Sequence, residues 1–213
     1  MNTGSPIAIG IIAWNEEAAI SAMLNSLFAQ TIFAELAAQN RRCDIICIPN
    51  GCTDRTAAVA RDIFERQQHE HPFKSAFAAR VVEIKKRGKI NAWNRFVHEL
   101  SPSEAQFLFL ADADIVLSDP QTLWNMYRAL DENSAAVVST DSPIKDIALK
   151  PRRTWMERIS LAASRMTQSA PAQLTGQLYC IKASIARNIY LPADLPACED
   201  ETLRERARSQ RNL

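Results

Sequence analysis

No apolar run in this 213-residue chain is long enough to cross a bilayer. The longest, Pro6 to Trp14, falls well short of the roughly 20 residues a spanning helix needs. No basic segment precedes it, so it does not read as a secretory signal. The chain therefore reads as soluble and cytosolic, compatible at most with peripheral association with a membrane. An excess of one charge sign is also absent: Lys and Arg total 25 against 24 Asp and Glu, which gives no basic field for a dedicated nucleic-acid partner. Cysteine lacks the even count and tight spacing of a disulfide framework or zinc site. Of the five, Cys43 and Cys47 flank Ile45 on an apolar run, while Cys52, Cys180 and Cys198 are scattered, so all read as reduced thiols. His69-Glu70-His71 lacks the i,i+4 histidine pairing of a metalloprotease helix and reads as a solvated helix end. Internal repeats, low-complexity tracts and flexible linkers are missing as well.

What is present is a chain with 47% hydrophobic residues, long enough for one sizeable core. Short apolar runs alternate with helical patterns, the signature of βαβ units around a mostly parallel sheet, so the fold class is α/β. The patterns predict strands at Ile7–Ala13, Asp44–Ile48, Arg80–Ile84, Phe107–Ala111, Ala135–Thr140 and Gln177–Ile181. Helices are predicted at Glu16–Phe28, Thr56–Gln68, Lys89–Leu100 and Pro120–Leu130, with Asp119 as the N-cap of the last. A further helical pattern runs from Thr154 to Met166, and the basic stretch Arg204 to Arg211 reads as a solvated helix face or frayed tail. We read residues 1–213 as a single domain, with the later part extending the same sheet.

The apolar run Gln106 to Ala111 ends in Asp112-Ala113-Asp114. Two carboxylates at the end of a buried strand call for a cation, hydrogen bonds or solvent. Residues two apart on a strand share a face, and a loop at the strand's carboxyl end lies where open α/β sheets bind ligands. An arbitrary Asp-Ala-Asp is more often a solvated turn. Three more loops change that balance, because each also follows an apolar strand: Trp14-Asn15-Glu16-Glu17, Asn50-Gly51-Cys52-Thr53-Asp54 and Lys85-Lys86-Arg87-Gly88-Lys89. In a parallel sheet these loops converge. Helix N-termini and the cluster from Lys85 to Lys89 would favour an anion there, and a phosphate-bearing ligand with a divalent metal fits both charge signs.

These segments, in this order, resemble the inverting glycosyltransferases of family 2, which carry the GT-A fold. "IIAWNEEAAI" is similar to the family's P-x-Y-N-E-E segment, "IPNGCTDRTAAVA" to D-D-G-S-x-D-x-T, "RGKINAWN" to G-K-x-x-A-L-N, and "FLADADIVL" to the D-x-D strand end. "TGQLYCIKAS" looks like the Gly-led acceptor-side strand, and Cys198 to Leu203 looks like E-D-x-x-L. The resemblance implies a Rossmann-like GT-A sheet with a nucleotide-sugar-binding half at 1–118 and an acceptor-side half at 119–213. It implies transfer from a nucleotide diphosphate sugar to an acceptor hydroxyl, with inversion, on a glycan, a lipid-linked acceptor or a small molecule. Cell-envelope polysaccharide synthesis is one setting for such chemistry.

By the same resemblance Asp114 holds Mg²⁺ or Mn²⁺, with Asp112 turned to the metal or the ribose. Ala13, Asn15, Glu16, Asn50 and Lys89 occupy the nucleotide-seating positions, Gly176 and Glu199 lie on the substrate side, and Asp200 is the general base. Lys89 also reads as a solvated helix residue. Asn50 stands where many members carry an acid facing the nucleobase, which leaves the donor nucleotide open. Trp14 replaces the usual Tyr and reads either as a platform for a base or as a buried anchor. The family pattern continues beyond Glu199-Asp200, so the chain reads as a truncated form. Two rivals remain: a non-catalytic sugar-nucleotide binder, and a nucleotidyltransferase. The latter is disfavoured because the first loop, Ala13 to Glu17, is not glycine-rich.

Overall fold

The computed structural model describes residues 6–141 and 176–192. In chain order the elements are β1 (Ile7–Ala13), α1 (Ile20–Phe28), α2 (Ile32–Ala38), β2 (Cys43–Pro49), α3 (Thr56–Glu70) and β3 (Phe77–Val81). They continue with α4 (Lys89–Arg95), β4 (Phe107–Asp112), α5 (Thr122–Asp131), β5 (Val138–Thr140), β6 (Leu178–Lys182) and α6 (Ala183–Ala186). The six-stranded sheet has the order β3-β2-β1-β4-β6-β5. The first four of these neighbours are parallel, while β6 runs antiparallel to both β4 and β5.

Every residue of β1 is buried, as expected of a central strand covered on both faces. Alternation divides its side chains. Ile7, Ile9, Ile11 and Ala13 join Cys43, Ile45, Cys47, Phe107 and Phe109 in a core closed by α1, α2, α3 and α5. Ala8 and Ile12 face the other way, with Ile46, Ile48, Leu108 and Leu110, against Trp93 and Phe96 of α4 and the π-helical turn Phe96–Leu100 that follows it. Gly10 allows that second approach, since a Cβ there would meet the Phe96 ring at 2.7 Å. The cysteines of the core are free thiols, and burial raises the pKa of Cys43 and Cys180 and pushes Cys47 up to about 12.

Several predicted boundaries move. α1 starts at Ile20 and not Glu16; the residues before it form a turn in which the Glu16 carbonyl accepts from the Ala19 and Ile20 N–H groups, and the Glu16 N–H donates to Thr56 Oγ1. β3 lies at Phe77–Val81, earlier than the predicted Arg80–Ile84: pairing with Cys43–Cys47 overrides the low strand propensity of Ala78 and Ala79. Ile84 keeps an isolated bridge to Asn50. α5 begins at Thr122, and Asp119 makes a tight turn to the Gln121 N–H (2.8 Å) in place of a helix cap. The helix α2 was not expected. It joins α1 across Ala29–Thr31 in the 19-residue stretch Ile20–Ala38, which has the length and apolarity of a membrane span. Its apolar residues, Met23, Leu27, Phe33 and Leu36 among them, are instead buried in the core. His71 is no solvated end: its Nε2 lies 3.0 Å from the Phe28 carbonyl and its ring packs against Phe33 and Phe77. The predicted helix at Thr154–Met166 and the basic tail lie outside the described residues.

Candidate active site

The carboxyl ends of β1, β2 and β4 open into a cleft of about 280 Å³. Ile12, Trp14, Glu16, Asn50, Arg87, Gly88, Lys89, Asp112, Ala113 and Asp114 line it. β4 ends on Asp112, opposite Ile12 of β1, and buried Ala113 between the two acids turns both carboxylates to the cleft. Asp112 is half-buried and Asp114 exposed. Lys89, the first residue of α4, reaches Asp112 with its Nζ at 3.0 Å and the Gly176 carbonyl at 3.5 Å. It is thus an ion-pair partner of the first acid. With both side chains partly open to solvent, the pair contributes about 0–1 kcal/mol to stability, so its position matters more than its energy.

Two loops are laced together below the cleft. Asn15 adopts a left-handed φ of 54°, and its Oδ1 accepts from the Thr53 N–H at 2.8 Å. Glu17 N–H donates to Asp54 (3.0 Å), and Glu17 accepts in return from the Arg55 N–H (3.0 Å). Asp54 also accepts from the Thr56 hydroxyl at 2.6 Å. Burial acts to raise the Asp54 carboxyl, but the hydrogen bonds from Thr56 and Glu17 outweigh it and the net displacement is downward. Glu16 moves the other way: burial, then the neighbouring charges of Asp114 and Asp54, raise its carboxyl.

Asn50 is 2% exposed, and each end of its amide makes a hydrogen bond within the protein. Nδ2 donates to the Ala13 carbonyl at 2.7 Å, and Oδ1 accepts from the Gly88 N–H at 3.0 Å. Both ends of the amide thus tie the cleft floor together, while the residue itself lines the cleft. Ala13 belongs to the same knot, its carbonyl also accepting the Asn50 N–H at 2.9 Å. Trp14 is not a buried anchor: it is 41% exposed, with the Arg87 guanidinium over its ring. Gly176, at φ 68°, lies beside Asp112 and Tyr179, whose hydroxyl accepts from the Trp93 indole N–H at 2.6 Å. Glu199 and Asp200 lie outside the described residues. The sequence reading missed Arg87 as an individual residue, seeing it only as part of a basic run, and missed the Asp54–Thr56 pair, for which the Asp-x-Thr spacing before a helix was a usable signal.

Among the described residues no three His, Cys, Asp or Glu side chains converge as a metal cage. The donor set still suits Mg²⁺ or Mn²⁺ shared with a ligand, because such ions are commonly held by one or two carboxylates plus substrate phosphates and water. Asp114 is solvent-facing and close enough to Glu16 for their charges to oppose, so a cation there would relieve a repulsion present in the fold.

Residues 8–187 match the family model for glycosyl transferase family 2. No curated protein sequence matches the chain. Among solved structures, it resembles S. aureus TarS 1–349 in complex with UDP, with a TM-score of 0.61 at 18% identity over 94% of this chain and 54% of that one. The complex of the same protein with UDP-GlcNAc gives 0.57 at 18% identity, over 94% and 52%. Glucosyl-3-phosphoglycerate synthase from Mycobacterium tuberculosis, in complex with Mn²⁺, UDP-glucose and phosphoglyceric acid, gives 0.54 at 19% identity over 85% and 58%. The chain spans little more than half the length of these neighbours, and at such identities the likeness is one of fold.

Proposed function

The chain belongs to glycosyl transferase family 2, and from that membership we propose that it moves a sugar from a nucleotide diphosphate sugar to an acceptor hydroxyl, with inversion and with Mg²⁺ or Mn²⁺. One observation carries the reading: Glu16, Asp112 and Asp114 meet Arg87 and Lys89 in a single cleft at the carboxyl ends of parallel strands. Acids alone would repel a diphosphate, and cations alone would leave no seat for a metal. A divalent ion held by Asp114 and Asp112 would supply Lewis-acid stabilisation of charge on the leaving diphosphate. Lys89 orients Asp112 through their ion pair and adds a fixed positive charge at the cleft wall. Asp200 takes the proton from the acceptor hydroxyl, as its place in the E-D-x-x-L-like segment suggests. The folds of TarS and the mycobacterial synthase, with UDP bound in one and Mn²⁺ and UDP-glucose in the other, support a nucleotide-sugar donor.

The test is sugar transfer from UDP- and GDP-sugars, with and without Mn²⁺, alongside calorimetric binding of UDP and GDP. Asp114→Ala is expected to lose the Mn²⁺-dependent part of nucleotide affinity, and equal affinity in variant and wild type would falsify the metal assignment. Asp200→Asn is expected to keep donor binding and lose about 10²–10⁴-fold in transfer rate. A wild type that binds nucleotide and transfers to no acceptor would make the chain a binding pseudoenzyme.

A further inference from the structure

Arg87 stands in the loop before α4, and its guanidinium carbon lies 3.4 Å from the centroid of the Trp14 ring. Both side chains line the cleft that contains Asp112 and Asp114. Beneath Arg87 the backbone is fixed. The next N–H, of Gly88, donates to Asn50 at 3.0 Å, and the Gly51 N–H donates to the Ile84 carbonyl at 2.7 Å. Gly51, at φ 66°, lies so close that a Cβ on it would stand 2.8 Å from the Arg87 Cβ. Movement of the guanidinium is thus a matter of side-chain torsions alone. The ring face is a neutral partner for this cation, weaker than the two parallel hydrogen bonds a guanidinium makes to a phosphate. Lys89 is already engaged with Asp112, so Arg87 is the cleft cation whose contact is most easily exchanged.

We propose that Arg87 is a donor-binding residue with two positions: stacked, it covers one face of Trp14, and turned inward, it grips the donor's diphosphate. A flat base and a flat guanidinium compete for that one ring face, so seating the base frees Arg87 for the phosphates. Nucleoside binding alone must break the stack, whereas a nucleoside diphosphate restores a partner to the displaced cation. The proposal rests on the nucleotide-sugar reading above.

The test measures calorimetric affinities of UDP, GDP, uridine, guanosine and inorganic pyrophosphate for the wild type, Arg87→Ala and Arg87→Lys, using the full chain. Arg87 is exposed, and unchanged melting curves will confirm that the variants fold. Arg87→Ala is expected to bind the nucleoside of the preferred donor about twofold or more tightly than wild type, because the competitor is gone. It is expected to bind the diphosphate and pyrophosphate about tenfold or more weakly. Arg87→Lys should recover part of the pyrophosphate affinity, since the charge returns without the planar fork. A cation that merely props the ring would weaken nucleoside and diphosphate together, and a mere plug would strengthen both; either result overturns the proposal. If the wild type binds neither UDP nor GDP, the donor reading itself fails and takes this proposal with it, whereas normal wild-type binding with the wrong Arg87→Ala pattern overturns the Arg87 role alone.

Discussion

Glu16 and Asp54 are carboxylates on neighbouring loops, joined through Thr56, yet the fold displaces them in opposite directions. Burial and the facing Asp114 make ionised Glu16 unfavourable. Its folded pKa therefore exceeds the unfolded one, and stability is lost as pH rises through the folded value. Asp54, with its hydrogen-bond donors, lies on the other side: its contribution is present above the unfolded carboxylate pKa and is lost as pH falls through the folded value. Glu16→Gln is thus expected to melt at a higher temperature than wild type at neutral pH, with the difference vanishing in acid where Glu16 is protonated. Asp54→Asn should melt lower at neutral pH and close the gap on acidification. Melting curves recorded across the carboxylate range check both, and a Glu16→Gln midpoint below wild type at neutral pH would remove the repulsion argument.

At the scale of elements, Asn50 joins three of them: the end of β2, on which it follows, the end of β1 at Ala13, and the start of α4 at Gly88. A carboxylate in its place keeps the acceptor for Gly88 but cannot donate to the Ala13 carbonyl, and it brings charge into a site 2% exposed. Asn50→Asp is therefore expected to lose about 1–3 kcal/mol of stability, measured by urea unfolding, with weaker nucleotide binding as a consequence of a loosened α4 start. An unchanged unfolding midpoint would show that the knot is dispensable. This pinning role was not legible in the sequence. An Asn at the head of a loop is suited to meeting a ligand and to pinning backbone, and its backbone partners Ala13 and Gly88 are brought to it only by the fold. The start of α1 was hidden because residues 16–19 suit a helix by themselves, while in the fold the preceding loop is tied to residues 53–56, some forty positions away. The short α2 carried too few turns for a periodic signal, and its Phe33 is buried against Phe28, Phe77 and His71.

Over the whole molecule, the strand order places β1 and β4 side by side and parallel, so that Ala13 and Asp112 emerge at the same carboxyl end of the sheet. Ligand that binds there binds only the folded chain, since the cleft residues come from segments separated by up to about a hundred positions. A nucleotide diphosphate at about 100 times its Kd, with Mn²⁺, should stabilise the protein by about 2.7 kcal/mol. For a chain of this size that corresponds to a rise in melting temperature of roughly 5–10 °C. The rise is expected to be smaller without the metal. Equal shifts with and without Mn²⁺ across UDP, GDP and dTDP would argue for binding through Arg87 and Lys89 alone.

The sequence by itself determined the α/β class, the identity of β1, β2 and β4 to within a residue at each end, and the family-2-like order of the loops. Those properties are local: apolar runs, their spacing and the polar residues that end them are all carried by near neighbours in the chain. Only the tertiary structure decided what each loop residue does. Lys89 turned from solvent to Asp112, Asn50 was drawn into a backbone knot, and Arg87 was laid on Trp14, because each of these outcomes depends on a partner brought close by strand pairing and on how many of its hydrogen-bonding atoms that partner satisfies.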